Sequence, residues 1–189
     1  MKKILFIDAA ARKDSRTRAL AGCLLEKLDG EVTRRSLYAE ELPRLDEEKL
    51  NWRNACCEAK DFKDAYFDLA KELAAADIIV VAAPYWDLSF PAVLKQYLEA
   101  VTINGITFTY SETGTPIGFC KAQKLYYVTT AGGPIVNDAF GYGYVRSLFC
   151  DMFGVKEALC LKAEGLDIWG ADVEGILQDA RNAAEAAVY

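Results

Sequence analysis

The 189-residue chain contains no histidine. That absence removes Ser-His-Asp and Cys-His nucleophilic sites, imidazole-ligated zinc and imidazole acid–base chemistry. An enzyme built from this sequence must place its chemistry elsewhere, and a bound cofactor is the simplest carrier. Prolines number five, and no apolar stretch approaches the roughly 20 residues that span a bilayer. The start, MKKILFIDAA, has lysines but a short apolar run interrupted by Asp8, so it reads as a first strand and a cytoplasmic protein is expected. No basic excess exists either. With 22 Lys and Arg against 28 Asp and Glu the formal net charge is -6, which argues against a nucleic-acid partner. The six cysteines (Cys23, Cys56, Cys57, Cys120, Cys150, Cys160) show no C-x-x-C spacing and read as thiols inside apolar patterns.

What is present is an alternation of strand and helix signals. Strands are expected at Lys3 to Asp8, Glu31 to Leu37, Ile78 to Ala83, Lys124 to Thr130 and Glu157 to Lys162. Helical patterns lie between them, from about Ser15 to Leu28, Ala55 to Ala75, after Pro91, Tyr142 to Phe153, and Ala171 to Ala187. Residues Tyr38 to Asn54 are expected to be irregular, and Asn104 to Tyr110 to form a small excursion beside the sheet. Gly154 stands where a helix C-cap glycine belongs. The result is one α/β domain over residues 1–189, a doubly wound five-stranded parallel sheet with helices on both faces.

Three loops share the carboxyl edge of such a sheet, where ligands bind. The loop after the first strand, Ala9 to Arg18, opens a helix. It offers the Ser15 and Thr17 hydroxyls, helix-start N–H groups and several cations to an anion. It lacks G-x-G-x-x-G and GK[ST], so neither a dinucleotide turn nor a P-loop is supported. Asp14 or Ser15 acting only as an N-cap explains this loop about as well. The loop after the third strand, Pro84-Tyr85-Trp86-Asp87-Leu88-Ser89-Phe90-Pro91, is a stiff aromatic wall, although aromatics that cap the core would leave the same trace. The loop after the fourth strand, Thr129-Thr130-Ala131-Gly132-Gly133-Pro134, has paired glycines that permit close backbone approach or a tight turn. An anion nest, an aromatic wall and a glycine platform together suit a phosphorylated planar heterocycle such as FMN.

Nearly the whole chain resembles the FMN-dependent NADH-azoreductases, within the flavodoxin-like NAD(P)H:quinone oxidoreductases. The resemblance is carried by Ser15-Arg16-Thr17, Ala83 to Lys95, Gly105 to Gly114, Thr129 to Gly133, Tyr144 to Phe149, Phe153-Gly154-Val155 and Ala163-Glu164-Gly165. It implies a flavodoxin-like sheet of strand order 2-1-3-4-5. It also implies FMN phosphate at Ser15, Arg16 and Thr17, with Ala9 at the start of that loop. The isoalloxazine would lie against Pro84, Tyr85, Trp86, Asp87 and Leu88, completed by Thr130, Ala131, Gly132 and Gly133. Where the family carries serines after the first strand this chain has Ala9 and Ala10. Its Met-Tyr-Asn-Phe is here Tyr85-Trp86-Asp87-Leu88, and an arginine before the paired glycines is Ala131.

The resemblance implies ping-pong transfer of two electrons from NADH or NADPH through non-covalent FMN to quinone or azo acceptors. It also implies a homodimer with flavin sites at its interface, a role for which Trp52, Phe108, Tyr110, Tyr142, Tyr144 and Trp169 are candidates. The second reading is a flavodoxin-type electron carrier without a small-molecule acceptor of its own. A carrier usually has a Thr/Gly-rich phosphate loop, which is absent here. A phosphorylation-controlled receiver needs an aspartate after the third strand, where this chain has Ala82-Ala83-Pro84.

Overall fold

A computed structural model describes residues 1–188. Five parallel strands form the central sheet: β1 (Lys3–Asp8), β2 (Glu31–Ser36), β3 (Ile78–Ala82), β6 (Lys124–Thr130) and β7 (Glu157–Ala163), in the order β2-β1-β3-β6-β7. Counting the parallel strands alone, this is the expected 2-1-3-4-5. The two remaining strands, β4 (Phe108–Tyr110) and β5 (Pro116–Gly118), pair antiparallel as a separate hairpin, the excursion anticipated from the sequence.

The period of two along each strand divides the core. Ile4 and Phe6 of β1, Ile78 and Val80 of β3, and Tyr126 and Val128 of β6 face one side. There they pack under α1 (Arg16–Leu25) and α6 (Val173–Ala186). Leu5 and Ile7, Ile79 and Val81, and Leu125 and Tyr127 face the other side. That face is covered by α3 (Asp68–Ala75), α4 (Ala92–Val101) and α5 (Tyr142–Arg146). β3 is buried along its whole length, whereas β2 is an edge strand with mostly exposed residues. Its arginines Arg34 and Arg35 discourage edge-to-edge pairing.

Three expectations change. Residues Glu47–Ala59 form a helix, α2, where the sequence predicts irregular structure as far as Asn54. None of its residues is fully buried, so no apolar stripe marked it; the Asp46 side chain caps it by accepting from the Lys49 N–H at 2.8 Å. The helix expected over 55–75 is broken. Lys60 takes a left-handed φ of 52° that ends α2, and the chain re-enters through a short 3₁₀ turn, Ala65–Phe67, into α3. Finally, α5 widens after Arg146 into a π-helical turn, Ser147–Met152, whose register buries Phe149 and Phe153 with ring centroids 5.4 Å apart. Gly154 follows at φ +82°, and a Cβ on Gly118 of β5 would stand 2.0 Å from the Phe153 carbonyl carbon. The hairpin therefore closes on the end of that turn only because residue 118 is glycine.

Candidate functional site

A cleft of about 270 Å³ opens at the carboxyl edge, between the loops after β1, β3, β6 and β7. At one end lies the start of α1. Ser15 is its N-cap, its hydroxyl accepting from the Arg18 N–H at 3.3 Å, and the first helical bond is Ala19 N–H to Ser15 C=O. The Arg16 and Thr17 amides precede that ladder, which leaves donors and the positive helix end facing the cleft. Thr17 is buried, and its hydroxyl shares a 2.6 Å hydrogen bond with that of Thr130 across the floor. Arg16 donates to the Leu166 carbonyl at 3.2 Å and to Asp167 at 2.7 Å, and so lies along the cleft's rim.

Arg18 is not one of the cations that can meet an anion here. Its guanidinium turns inward to Asp8, to the carbonyls of Arg12 and Lys13 at 2.5 and 3.1 Å, and to that of Ala10. It staples the loop into shape instead.

The opposite end is walled by Pro84, Tyr85 and Trp86 and floored by Thr130, Ala131 and Gly132. Tyr85 is anchored twice. Its N–H donates to Thr130 C=O at 3.0 Å, and its hydroxyl donates to Asn137 C=O at 3.0 Å. Trp86 and Ser89 exchange both backbone hydrogen bonds, at 2.9 and 2.8 Å, around a two-residue turn. Asp87 and Leu88 occupy its centre with φ of 50° and 66°, the signs of a type I′ turn, which glycine or asparagine ordinarily fills. At Gly132 a Cβ would meet Asp167 Oδ2 at 2.4 Å, so glycine lets the loop after β7 fold over the platform. Gly132 C=O accepts the Asp167 N–H at 2.8 Å.

Nine of the thirteen expected site residues thus share one cleft: Ser15, Arg16, Thr17, Pro84, Tyr85, Trp86, Thr130, Ala131 and Gly132. The other four do not line it. Ala9 is fully buried beneath it, its N–H on Ala82 C=O; Asp87 and Leu88 form the turn's tip; Gly133 accepts from the Gly165 N–H. The structure adds Ala11, Arg12, Asp14, Leu166 and Asp167. The signal for the last two was available, since the loop after the fifth parallel strand must reach the same edge. Among the described residues no cluster of Asp, Glu and Cys suits a metal ion.

The donor set matches a phosphorylated flat ligand: helix-start amides, the hydroxyl of the N-cap Ser15, whose proton is left to donate, and Arg16 at one end, aromatic and glycine surfaces at the other. A family profile described as flavodoxin-like fold matches residues 2–188. The FMN-dependent NADH:quinone oxidoreductase 2 of Clostridium acetobutylicum is 36% identical over 192 residues, covering 95% of this chain and 94% of that one. The FMN-dependent NADH:quinone oxidoreductase of Clostridium beijerinckii is 30% identical, covering 98% and 97%. Among solved structures, an azoreductase from Bacillus anthracis superposes with a TM-score of 0.86 at 24% identity, covering 100% of this chain and 99% of that one. An FMN-dependent NADH-azoreductase from the same species, in complex with FMN, gives 0.83 at 22%, covering 100% and 98%. These two likenesses establish the fold, while the family match spans the chain almost end to end. The chain belongs to the flavodoxin-like fold family.

Proposed function

We propose that this protein is an FMN-dependent oxidoreductase that moves two electrons from NADH or NADPH to quinone or azo-type aromatic acceptors. The observation that carries this reading is the full-length similarity to FMN-dependent NADH:quinone oxidoreductases, coupled to a cleft with an anion end and an aromatic end. When bound, FMN supplies the redox chemistry, accepting a hydride equivalent from the nicotinamide and releasing it to the acceptor.

The chain's own residues bind and orient. Ser15, the Arg16 and Thr17 amides and the Arg16 guanidinium hold the phosphate by charge-assisted hydrogen bonds. Tyr85 and Trp86 wall the ring, and Trp86, 39% exposed, is free to stack on it. Gly132 brings bare backbone to the cleft floor beside the ring's polar edge, and the Asp87–Leu88 tip, outside the cleft, holds Trp86 in place. Asp87 sits at the turn's tip outside the cleft, which suits a reduced anionic ring, since a carboxylate facing it would be unfavourable.

The active unit in this reading is a homodimer with the flavin cleft at its interface. In support, the loops at the carboxyl edge expose Trp86, Leu88, Val136, Phe140, Ile168 and Trp169, a concentration of apolar side chains that isolated monomers seldom leave in water. Among the described residues no helix is long and apolar enough to cross a membrane.

The test is direct. Denatured supernatant should contain FMN by mass spectrometry, and the protein should oxidise NADH with menadione in ping-pong kinetics. Replacing Ser15, Arg16 and Thr17 together by alanine should release the cofactor. A protein that cannot be loaded with FMN, or a loaded one that reduces partner proteins but no soluble quinone, defeats the proposal; the latter result would favour the electron carrier. Sedimentation with activity followed on dilution tests the dimer, and a fully active monomer rules out the shared site.

A further inference from the structure

A second cavity, of about 310 Å³, lies under the loop between β6 and α5, at the carboxyl ends of β6 and β7. Tyr85 lines both cavities and is the wall between them. The walls of the second are aromatic and aliphatic: Tyr85, Tyr127, Tyr142, Ile135 and Val136, with the Tyr127 and Tyr142 ring centroids 5.9 Å apart.

Its polar groups are unusual. Tyr127 and Thr129, 1% and 2% exposed, both line it, and their side-chain hydroxyls find no hydrogen-bond partner among the described residues. Among the described residues the only other buried side-chain oxygen in that condition belongs to Tyr97, which does not line this cavity. The neighbouring hydroxyls are satisfied: Tyr142 donates to Ala158 C=O at 2.8 Å and Tyr85 to Asn137 C=O. Burial raises the Tyr127 pKa and a contact from the Thr129 hydroxyl opposes it, so the two hydroxyls lie close together while each falls short of a well-formed hydrogen bond. Buried polar atoms without partners are rare in native interiors, and a pair of them in one cavity calls for an oxygen that can satisfy both.

The size and charge of the cavity narrow the ligand. An apolar cavity of about 150 Å³ holds benzene, so this one has room for a single substituted ring. Its one ammonium, Lys162, is paired with Glu164 at 3.2 Å, and Asp138 also lines the cavity, so nothing there favours an anion. We propose that this cavity binds an uncharged, single-ring phenol, its ring between Tyr85 and Tyr142 and its oxygen bonded to the Tyr127 and Thr129 hydroxyls. The site is separate from the phosphate-and-ring cleft and does not rest on the flavin reading.

Calorimetry with phenol, toluene and benzoate, on protein with and without FMN, tests it. Phenol should bind both forms, with toluene and benzoate about tenfold weaker, the worth of one hydrogen bond. Thr129→Val preserves volume and should weaken phenol about tenfold while FMN affinity and the melting temperature hold. Tyr127→Phe should do the same, and Thr129→Val carries the test alone if that variant misfolds. No phenol binding, toluene binding as tight as phenol, unchanged affinity in Thr129→Val, or displacement of phenol by FMN would each overturn the proposal. Failure to bind FMN would refute the proposed function and leave this site standing.

Discussion

Arg18 donates from Nε to the Asp8 carboxylate at 2.6 Å, and Asp8 is wholly buried at the end of β1. Arg34 approaches the same oxygen at 2.5 Å, while the other oxygen accepts the Ala10 N–H at 3.0 Å. A buried carboxylate is tolerable only when so paired. The arrangement links the sheet to the loop that leads into α1. Arg18→Ala should cost about 3 kcal/mol, near the low end for breaking a buried pair because Arg34 remains. It should also weaken FMN, because the carbonyls of Ala10, Arg12 and Lys13 lose their common donor. Denaturant unfolding alongside flavin titration measures both; stability and flavin affinity near wild type would show that the staple is dispensable.

Gly132→Ala tests the contact between two loops. Its methyl would push Asp167, and through it Arg16, out of place. We expect FMN affinity to fall about tenfold, with stability changed by less than about 1 kcal/mol because Asp167 is exposed. Asp167→Ala alone and the double variant should then bind FMN nearly equally, since only a tight 3.2 Å contact with the Cβ of residue 167 remains once the carboxylate is gone. Fluorescence titration of the three variants decides it.

The tryptophans separate by environment. Trp52 stacks on Phe67 with centroids 5.5 Å apart, whereas Trp86 borders the cleft and Trp169 is 99% exposed. Trp52→Ala should destabilise by about 3 kcal/mol, and Trp86→Ala by about 1 kcal/mol or less. Trp86 emission should be quenched on FMN binding and the loss should vanish in Trp86→Phe only in part. Equal destabilisation by the Trp52 and Trp86 truncations would make Trp86 a packing residue.

Leu88 occupies the left-handed region at φ 66°. Leu88→Gly should therefore stabilise the turn by about 1 kcal/mol, because Asp-Gly is a favoured type I′ pair. A rise in melting temperature of the apoprotein checks this. A fall would mean that the half-exposed leucine side chain packs more than it strains.

Glu164 accepts the Ile135 N–H at 2.9 Å and pairs with Lys162, and the first of these chiefly holds its carboxyl below the usual range. A lowered folded value means the contact contributes fully above the unfolded pKa of about 4.3 and is lost as pH falls through the folded value. Hydrogen exchange at the Ile135 amide should accelerate, beyond its intrinsic pH dependence, as pH falls through the lowered Glu164 value. Glu164→Gln should remove that extra acceleration.

The sheet was readable from residues because its strands are short apolar runs punctuated by turns. Ile78 to Ala82 needs no partner to announce burial on both faces, and period two alone sends Tyr126 and Tyr127 to opposite cores. The helices were less legible where they bury little: α2 has no apolar stripe, and the break at Lys60 depends on a left-handed residue without a glycine to mark it. At the site, residue type pointed to Ser15, Trp86 and Gly132, since hydroxyls, aromatics and glycines in edge loops carry local meaning. Partnership did not show. That Arg18 would turn inward to Asp8 and Arg16 outward to Asp167, 151 positions away, follows from which strand ends meet across the sheet. The same holds for the unpartnered Tyr127 and Thr129 hydroxyls: hydrogen bonding is a matter of angles and distances between distant segments, and those exist only once the chain has folded.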